Sequence, residues 1–501
     1  MRFSTPLLGI AIGSFALGCG GSDTSERSTT DGSRDEITIA FGARPTTLDP
    51  HIADDGAERA INDNIYETLM ARTPDGGLTP GLAADEPQRL DDTTWRFTLR
   101  DGVSFHDGTA FDSRAVVASI ERMIEIGESG EQHSFFSTLS GAKAIDKLTV
   151  DVITTGPDPL LPARMYWLKI IPAGAADRPD FAEQPIGTGP YRLRSFDQEI
   201  ASLEANEEYW GGRPPIGIVN IAFVGDASTR IAGVLSGRFD VVTNVPPEEA
   251  RRVPQHATVA GLEHPLIILD VDDGITADVR VRRALNHAVD KQAIASGTFG
   301  GMAAVDPGQP LDETYFGFDP ALEAYPYDPE RARSLIEEAG VAGESIQLIG
   351  VADRWLKDRE TVEAVAGYWQ DAGLEVSVEI LEFGTWLETW SDRTARPDAI
   401  FLNSSNELLD ADRTLSVLYH PDGIGSSNTD PELGNLIDDA RTEVDADRRT
   451  ELYSQALRLA RDDAYFVFLV RVEDSYGLSE RMSWTPRTDA KLLAAEMSLT
   501  T

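Results

Sequence analysis

Seven histidines, one cysteine and 84 acidic side chains are the groups in this 501-residue chain that could hold a metal or move protons. The histidines are His51, His106, His133, His256, His264, His287 and His420. No two of them stand four residues apart, so no helix presents a His pair, and the sequence offers no local metal site. Only a site assembled from distant histidines would escape that reading. A Gly-x-Ser-x-Gly elbow and a Walker loop are both missing. Gly187-Thr188-Gly189 opens like a dinucleotide fingerprint, but Pro190 follows and the third glycine is absent. Carboxylate pairs of the glycosidase kind are so frequent in this composition that none can be singled out. No catalytic residue, metal or cofactor is therefore expected.

The charge balance narrows the partners. Lys and Arg number 44 against 84 Asp and Glu, a net charge of −40. Such a surface repels phosphates and excludes a nucleic-acid coat. Six of the basic residues are lysine and 38 are arginine. Abundant carboxylate with little lysine fits a salty medium, where charge is screened. With 41% hydrophobic residues the chain can bury a core, and its length fits two or three domains.

Residues 1–19 read as an export signal. Arg2 supplies the positive start, and Leu7 to Leu17 is an apolar run too short to span a bilayer. Ala16-Leu17-Gly18-Cys19 is similar to a lipoprotein processing box with its first two residues exchanged, which makes Cys19 the expected lipid anchor. Residues 20–35, rich in Ser, Thr, Gly and Asp, read as a flexible tether. Because Cys19 is the sole cysteine, the mature body is expected to lack internal disulfides.

From Glu36 onward the pattern alternates strands and helices. Ile37 to Phe41 reads as a strand. Thr94 to Phe105 reads as a hairpin turning at Asp101-Gly102, with Trp95, Phe97 and Leu99 on one arm and Val103 and Phe105 on the other. Past Asp107-Gly108, Ser113 reads as an N-cap to a helix with a stripe of Val116, Val117, Ile120, Met123 and Ile124. Asp328, Pro329 and Gly340 bracket another helix. Ile346–Val351, a helix over Glu360 to Asp371, and an alternating strand from Leu374 to Ile380 form a strand–helix–strand unit of a mostly parallel sheet. Tyr465 to Val470, apolar throughout, reads as a central strand. No fixed-period repeat is present, which excludes a solenoid.

Motifs spread over nearly the whole body resemble the extracytoplasmic solute-binding proteins of peptide-type ABC transporters, bacterial family 5. They are Thr47 to His51, Asn64 to Leu69, Leu78 to Ala83, Trp95 to Gly108, Pro185 to Tyr191, Asn206 to Gly212, Val279 to Asp290, and Tyr327 with its helix to Gly340. Most look structural: Gly187 and Gly189 as backbone punctuation, Tyr191, Tyr209 and Trp210 as core. The resemblance implies an α/β, two-lobed periplasmic-binding-protein fold of type II with an extra subdomain inserted in lobe I. Lobe I would combine 36–60, 183–268 and 476–501, the insertion 61–182, and lobe II 269–475. The ligand would sit between lobes that close on it, and permease subunits would read the closed form.

Peptide-binding relatives grip the ligand's amine with an acid and, for dipeptides, its carboxylate with an arginine. Counting back from Leu415 to Tyr419 and Asp410 puts Glu407 at the acid position. It is one methylene longer than the usual aspartate, about 1.5 Å of extra reach. Asn403, Ser404, Ser405 and Asn406 could add polar contacts, though a tryptophan usual near this point is missing. Arg354 lies near the carboxylate-binding position, with a gap of one or two residues, and Trp355 could pack on ligand side chains. Leu269 to Asp273 departs from the pattern, where relatives often carry an asparagine. The implied protein is an exported, lipid-anchored monomer, periplasmic or on the cell surface, that feeds short peptides to an ABC permease. The alternatives are an oligosaccharide, opine or metal-chelate ligand on the same scaffold, a solute sensor, or a secreted hydrolase.

Overall fold

In the computed structural model the described residues are 35–500, apart from 128, 129, 131, 353 and 393–395. The expected signal, the Cys19 anchor and residues 20–34 of the tether lie outside them. Residues 35–500 form one compact unit, organised as two α/β lobes around separate sheets.

The larger sheet runs, strand by strand, 255–260, 470–478, 241–243, 36–41, 218–223, 200–205 and 191–196, with Ala303–Val305 added to the start of Val470–Leu478. Glu36–Phe41 pairs in parallel with Ile218–Phe223 and Val241–Thr243; the flanking pairs are antiparallel. The second sheet has the order 375–381, 345–351, 399–404, 264–269, 466–468. Its first three strands are parallel and its last two antiparallel. A four-stranded antiparallel sheet, 88–89, 94–98, 149–154 and 139–146, backs a third core inside the first lobe's insertion.

Local signals read from sequence are reproduced where they are local. Asp328 caps Pro329–Ala339, and Gly340 ends it at φ 77°. Gly373 (φ 107°) follows Asp358–Asp371, and Glu375–Leu381 lies parallel to Ser345–Val351. Helix Ser113–Ile126 is capped by Asp112, one residue before the expected Ser113, because the carboxylate accepts from the Arg114 N–H. Two expectations fail on pairing. Thr94–Thr98 does not turn back on Val103 to Phe105; it pairs with Thr149–Thr154, while the Phe105 N–H donates to the Thr109 carbonyl across the Asp107-Gly108 turn. Phe466–Phe468 is fully buried yet stands at the end of its sheet, because burial there comes from Tyr419 and a helix, Val279–Ala288, rather than from two flanking strands.

The chain crosses between the lobes twice, at residues 260–264 and again at 470–474. Gly261 N–H donates to the Val472 carbonyl at 3.1 Å, and Val472 N–H donates to the Glu263 carbonyl at 2.9 Å. Strand His264–Leu269 belongs to the second sheet, so the first crossing precedes the boundary expected at 268; the second, inside Val470–Leu478, precedes the one expected at 475.

Candidate ligand-binding cleft

Helix Gly56–Ile65 in the first lobe and the loop 404–413 in the second face each other across the cleft. The helix starts at Asp55, whose carboxylate accepts from the Gly56 N–H at 2.8 Å. It ends where Gly189 N–H donates to the Ile65 carbonyl at 2.9 Å. One turn in, Arg59 reaches Glu407 at 3.5 Å and lies 5.2 Å from the Trp167 ring. Burial opposes the Arg59 charge, but Asp54, Glu407, Asp63 and Asp55 hold its pKa above the ordinary guanidinium value. Below it Lys169, buried, bridges Asp54 at 2.9 Å and Asp63 at 3.1 Å.

Glu407 is half-buried and carries two guanidiniums. Arg413 sits 3.4 Å from its second oxygen, and the Ser405 hydroxyl donates to the first at 3.3 Å. Burial raises the carboxyl's pKa, yet Arg413 and Arg59 together outweigh it and hold the group below the usual range. The acid is therefore ionised with more positive than negative charge around it.

The same loop locks the lobes by packing. Leu408 joins the insertion's buried core, while Leu409 belongs to the second lobe's core. Leu409 takes φ 53°, a left-handed backbone that is strained for a bulky residue. Arg72 ties the loop down by donating to the Leu408 carbonyl at 2.5 Å. Asn406 is spent inside the loop: its amide donates to the Asp410 carbonyl and the Thr414 hydroxyl, and its oxygen accepts from the Leu408 N–H. It therefore faces the loop's own backbone rather than the cleft.

Arg354, exposed, pairs with Asp55 of the opposite lobe at 3.2 Å, its guanidinium 4.7 Å from the Phe383 ring. The backbone N–H groups of Arg354 and Trp355 both donate to Asp358, which fixes the loop. Burial opposes ionisation of Asp55, but Arg354, the Gly56 N–H and Arg59 leave its pKa lowered. Lys357 makes a second cross-lobe pair with Glu248 at 3.1 Å. Trp355 is half-buried against Trp386, Phe401 and Phe383. Since exposed pairs contribute at most about 1 kcal/mol, Arg354→Ala is expected to leave thermal stability almost unchanged. A calorimetric scan checks this, and a loss of several degrees would show a structural role instead.

At the floor of the cleft, where the crossing strands meet, Asn403 donates to Glu263 at 2.8 Å. Asp474 stands beside them on the second crossing strand, one carboxylate oxygen buried with no hydrogen-bond partner. Arg59, Arg413, Glu263 and Asp474 were not legible as site residues. Arg59, Glu263 and Asp474 come from segments without a motif of their own, Arg413 lies unmarked between Asp410 and Leu415, and only the fold brings them together.

A charged cleft between two α/β lobes joined by paired crossing strands defines the class of two-lobed periplasmic binding proteins. The model of bacterial extracellular solute-binding proteins, family 5 (middle) matches residues 77–426, and the chain belongs to this family. The glutathione-binding protein GsiB of Shigella flexneri is 24% identical over 478 residues, covering 92% of this chain and 90% of that one. NikA from Brucella suis, solved with Fe(III)-EDTA, superposes with TM-score 0.84 at 20% identity, covering 93% of this chain and 100% of NikA. DppA from Helicobacter pylori, solved with the peptide STSA, gives 0.77 at 21% identity, covering 93% and 98%.

Proposed function

We propose that this protein is the substrate-binding component of an ABC importer, that it takes short peptides into the interlobe cleft, and that it presents them to permease subunits. One observation carries the reading: ionised groups of both signs face each other from the two lobes, Arg354 with Asp55 and Arg59 with Glu407. A ligand with an anionic and a cationic end can replace such cross-cleft pairs without leaving a charge unpaired, which a neutral sugar cannot do. The peptide in the DppA structure and the glutathione in the name of GsiB agree with that ligand class.

Arg354, exposed at the cleft mouth and held by a fixed loop, suits the ligand carboxylate. Trp355 beside it offers the part of its ring that its own lobe leaves uncovered. Glu407 is the position the family resemblance points to for the ligand amine, and Ser404 and Ser405 flank it. The two guanidiniums beside it support a different task, that of positioning Arg59 and Arg413. Glu407→Ala is expected to weaken peptide binding at least about tenfold, roughly 1.4 kcal/mol. With an N-acetylated peptide the loss should be equally large if Glu407 positions the arginines, and should vanish if it holds the amine. Titration calorimetry with both peptides separates the two. Exported as a monomer and anchored through Cys19, the protein would work outside the cytoplasm. No covalent chemistry is required of it.

Native mass spectrometry of the protein purified without denaturation tests the ligand class directly. A bound mass that leaves on activation and fragments as a short peptide is the expected result. A chelate, sugar or opine mass would replace the peptide assignment.

A further inference from the structure

The carboxylates that line the cleft are nearly all matched by a cation. Glu407 has Arg59 and Arg413, Asp55 has Arg354, and Asp54 and Asp63 share Lys169, with Lys491 also 3.5 Å from Asp63. Glu263 and Asp474 differ. They stand on the two crossing strands, and the nearest influences on them are the Asn403 amide, Arg354 and Arg59, the two arginines being already engaged elsewhere.

Unused acceptors gather at this place. One oxygen of Asp474 is buried without a partner. The side-chain oxygen of Asn403 is also buried without one, on a residue only 6% exposed whose NH2 is committed to Glu263. Gly261 lets the two crossing strands approach closely beside Asp474: a Cβ there would lie 3.3 Å from the Asp474 carboxyl carbon and 2.7 Å from the Val472 carbonyl. Buried acceptors without donors are costly unless a donor arrives. Two carboxylates and an amide oxygen, with no donor of their own to spare, match a group that has only donors and carries positive charge.

We propose that Asp474, Glu263 and Asn403 form the seat of a cationic group of the ligand, an ammonium or a guanidinium, at the floor of the cleft between the crossing strands. This rests on the reading of the cleft as the ligand site. It moves the recognition of positive charge away from Glu407, where two arginines would repel it, to the hinge, where it meets two unneutralised carboxylates. The seat selects ligands with an amine or a basic side chain. Its position on both crossing strands couples occupancy to the strands about which the lobes are joined.

The charges around Asp474 give this seat a pH dependence. Burial and then the Glu263 carboxylate push the Asp474 pKa up to about 7; Arg59 works against them, and Asp489 adds to them. Burial likewise raises Glu263, against the Asn403 hydrogen bond and Arg354, with Glu407 and Asp55 adding to the rise. A protonated Asp474 holds a cation poorly, so cationic ligands should bind more tightly as pH rises through 7, with release of a proton.

The test is titration calorimetry at pH 5.5 and pH 8 with Ala-Ala-Ala, Ala-Arg-Ala, their N-acetylated forms, arginine and agmatine, on the wild type, Asp474→Asn and Glu263→Gln. Cationic probes are expected to bind the wild type about tenfold more tightly at pH 8 than at pH 5.5. Asp474→Asn should lose at least tenfold at pH 8 and most of the pH dependence, and Glu263→Gln should lose affinity in the same probes. N-acetyl-Ala-Ala-Ala should bind weakly and feel neither change. Comparing Ala-Ala-Ala with N-acetyl-Ala-Arg-Ala tells whether the seat takes the terminal amine or a basic side chain. If peptides bind but Asp474→Asn holds them within twofold of the wild type, the seat is overturned and the peptide reading stands. If arginine or agmatine binds through Asp474 and no peptide binds, the seat stands and the peptide reading falls. Failure of every cationic probe, or equal binding of the neutral one, overturns the seat. The pH dependence in the wild type needs no variant to fold.

Discussion

Lys169→Met is expected to cost about 3–5 kcal/mol of folding stability, the range for removing one partner of a buried ion pair. The ammonium is 1% exposed in its side chain and serves two carboxylates, Asp54 and Asp63, at 4% and 3%. Methionine keeps most of the side chain's length and apolar bulk, so the loss is electrostatic rather than a cavity. It leaves two acids facing one another with Lys491 and Arg59 as the remaining nearby cations. The pH dependence has a definite sign. In the wild type Asp63 is held below its ordinary value: burial raises it, but Lys169 foremost, then Lys491 and Arg59, outweigh burial. Such a group contributes stability that is present above the unfolded pKa and lost as pH falls through the folded one. Asp54 is already raised in the wild type, burial outweighing Lys169 and Arg59; in the variant it rises further and Asp63 joins it above the unfolded value, so more stability is lost as pH climbs. The gap between the proteins should therefore widen from about pH 4 to pH 7. Urea unfolding across that range measures it; a gap independent of pH would mean that packing, not charge, is what Lys169 supplies.

Gly187→Ala is expected to destabilise by about 3 kcal/mol, at the upper end for overpacking. A Cβ at Gly187 would lie 1.9 Å from the Ile65 carbonyl oxygen and 2.6 Å from its carbon. The obstacle is backbone at the end of the helix that carries Arg59, so it cannot swing aside as a side chain would. Gly189, two residues on, meets the same carbonyl at 2.7 Å and also donates its N–H to it. Relief requires the helix end to move, and Arg59 moves with it. The variant should thus lose peptide affinity as well as stability, unlike a substitution that merely loosens the insertion. Denaturant unfolding together with peptide titration checks both, and a variant of wild-type stability would show that the segment retreats freely.

Legibility followed the range of the interaction. Asp328, Pro329 and Gly340 were readable because a cap and a stop act within one turn. The Gly187 motif was recognisable as backbone punctuation, and the reason is a close approach to Ile65, not a positive φ. The partner of Thr94–Thr98 was not readable, since Asp101-Gly102 is a sound turn whichever strand the chain next joins. Apolarity in Tyr465 to Val470 reported burial and could not say which side of the sheet supplied it. In the cleft, Glu407 and Arg354 came from motif positions, while Arg59, Arg413, Asp55, Glu263 and Asp474 are ordinary charged residues until the crossing strands bring them together. In a chain with 84 acids, no sequence pattern singles out Glu263 and Asp474 from the acids that the cleft pairs with arginine or lysine.

Leu408 gives the molecule a thermal character that its charges would not. Any parting of the lobes along loop 404–413 draws this side chain, 1% exposed, out of the insertion's core and into water. That hydration costs about 1.5–3 kcal/mol, roughly a 10- to 150-fold bias toward the shut arrangement. A cost of this origin carries a heat capacity, so it weakens on cooling and strengthens in sulfate. The equilibrium preference for the shut arrangement should accordingly strengthen with warmth up to ordinary growth temperatures and with salting-out anions, while the ion pairs of the cleft are screened by the same salt. Retention and recognition thus answer to opposite changes in the medium, one through a leucine and the other through arginines and carboxylates.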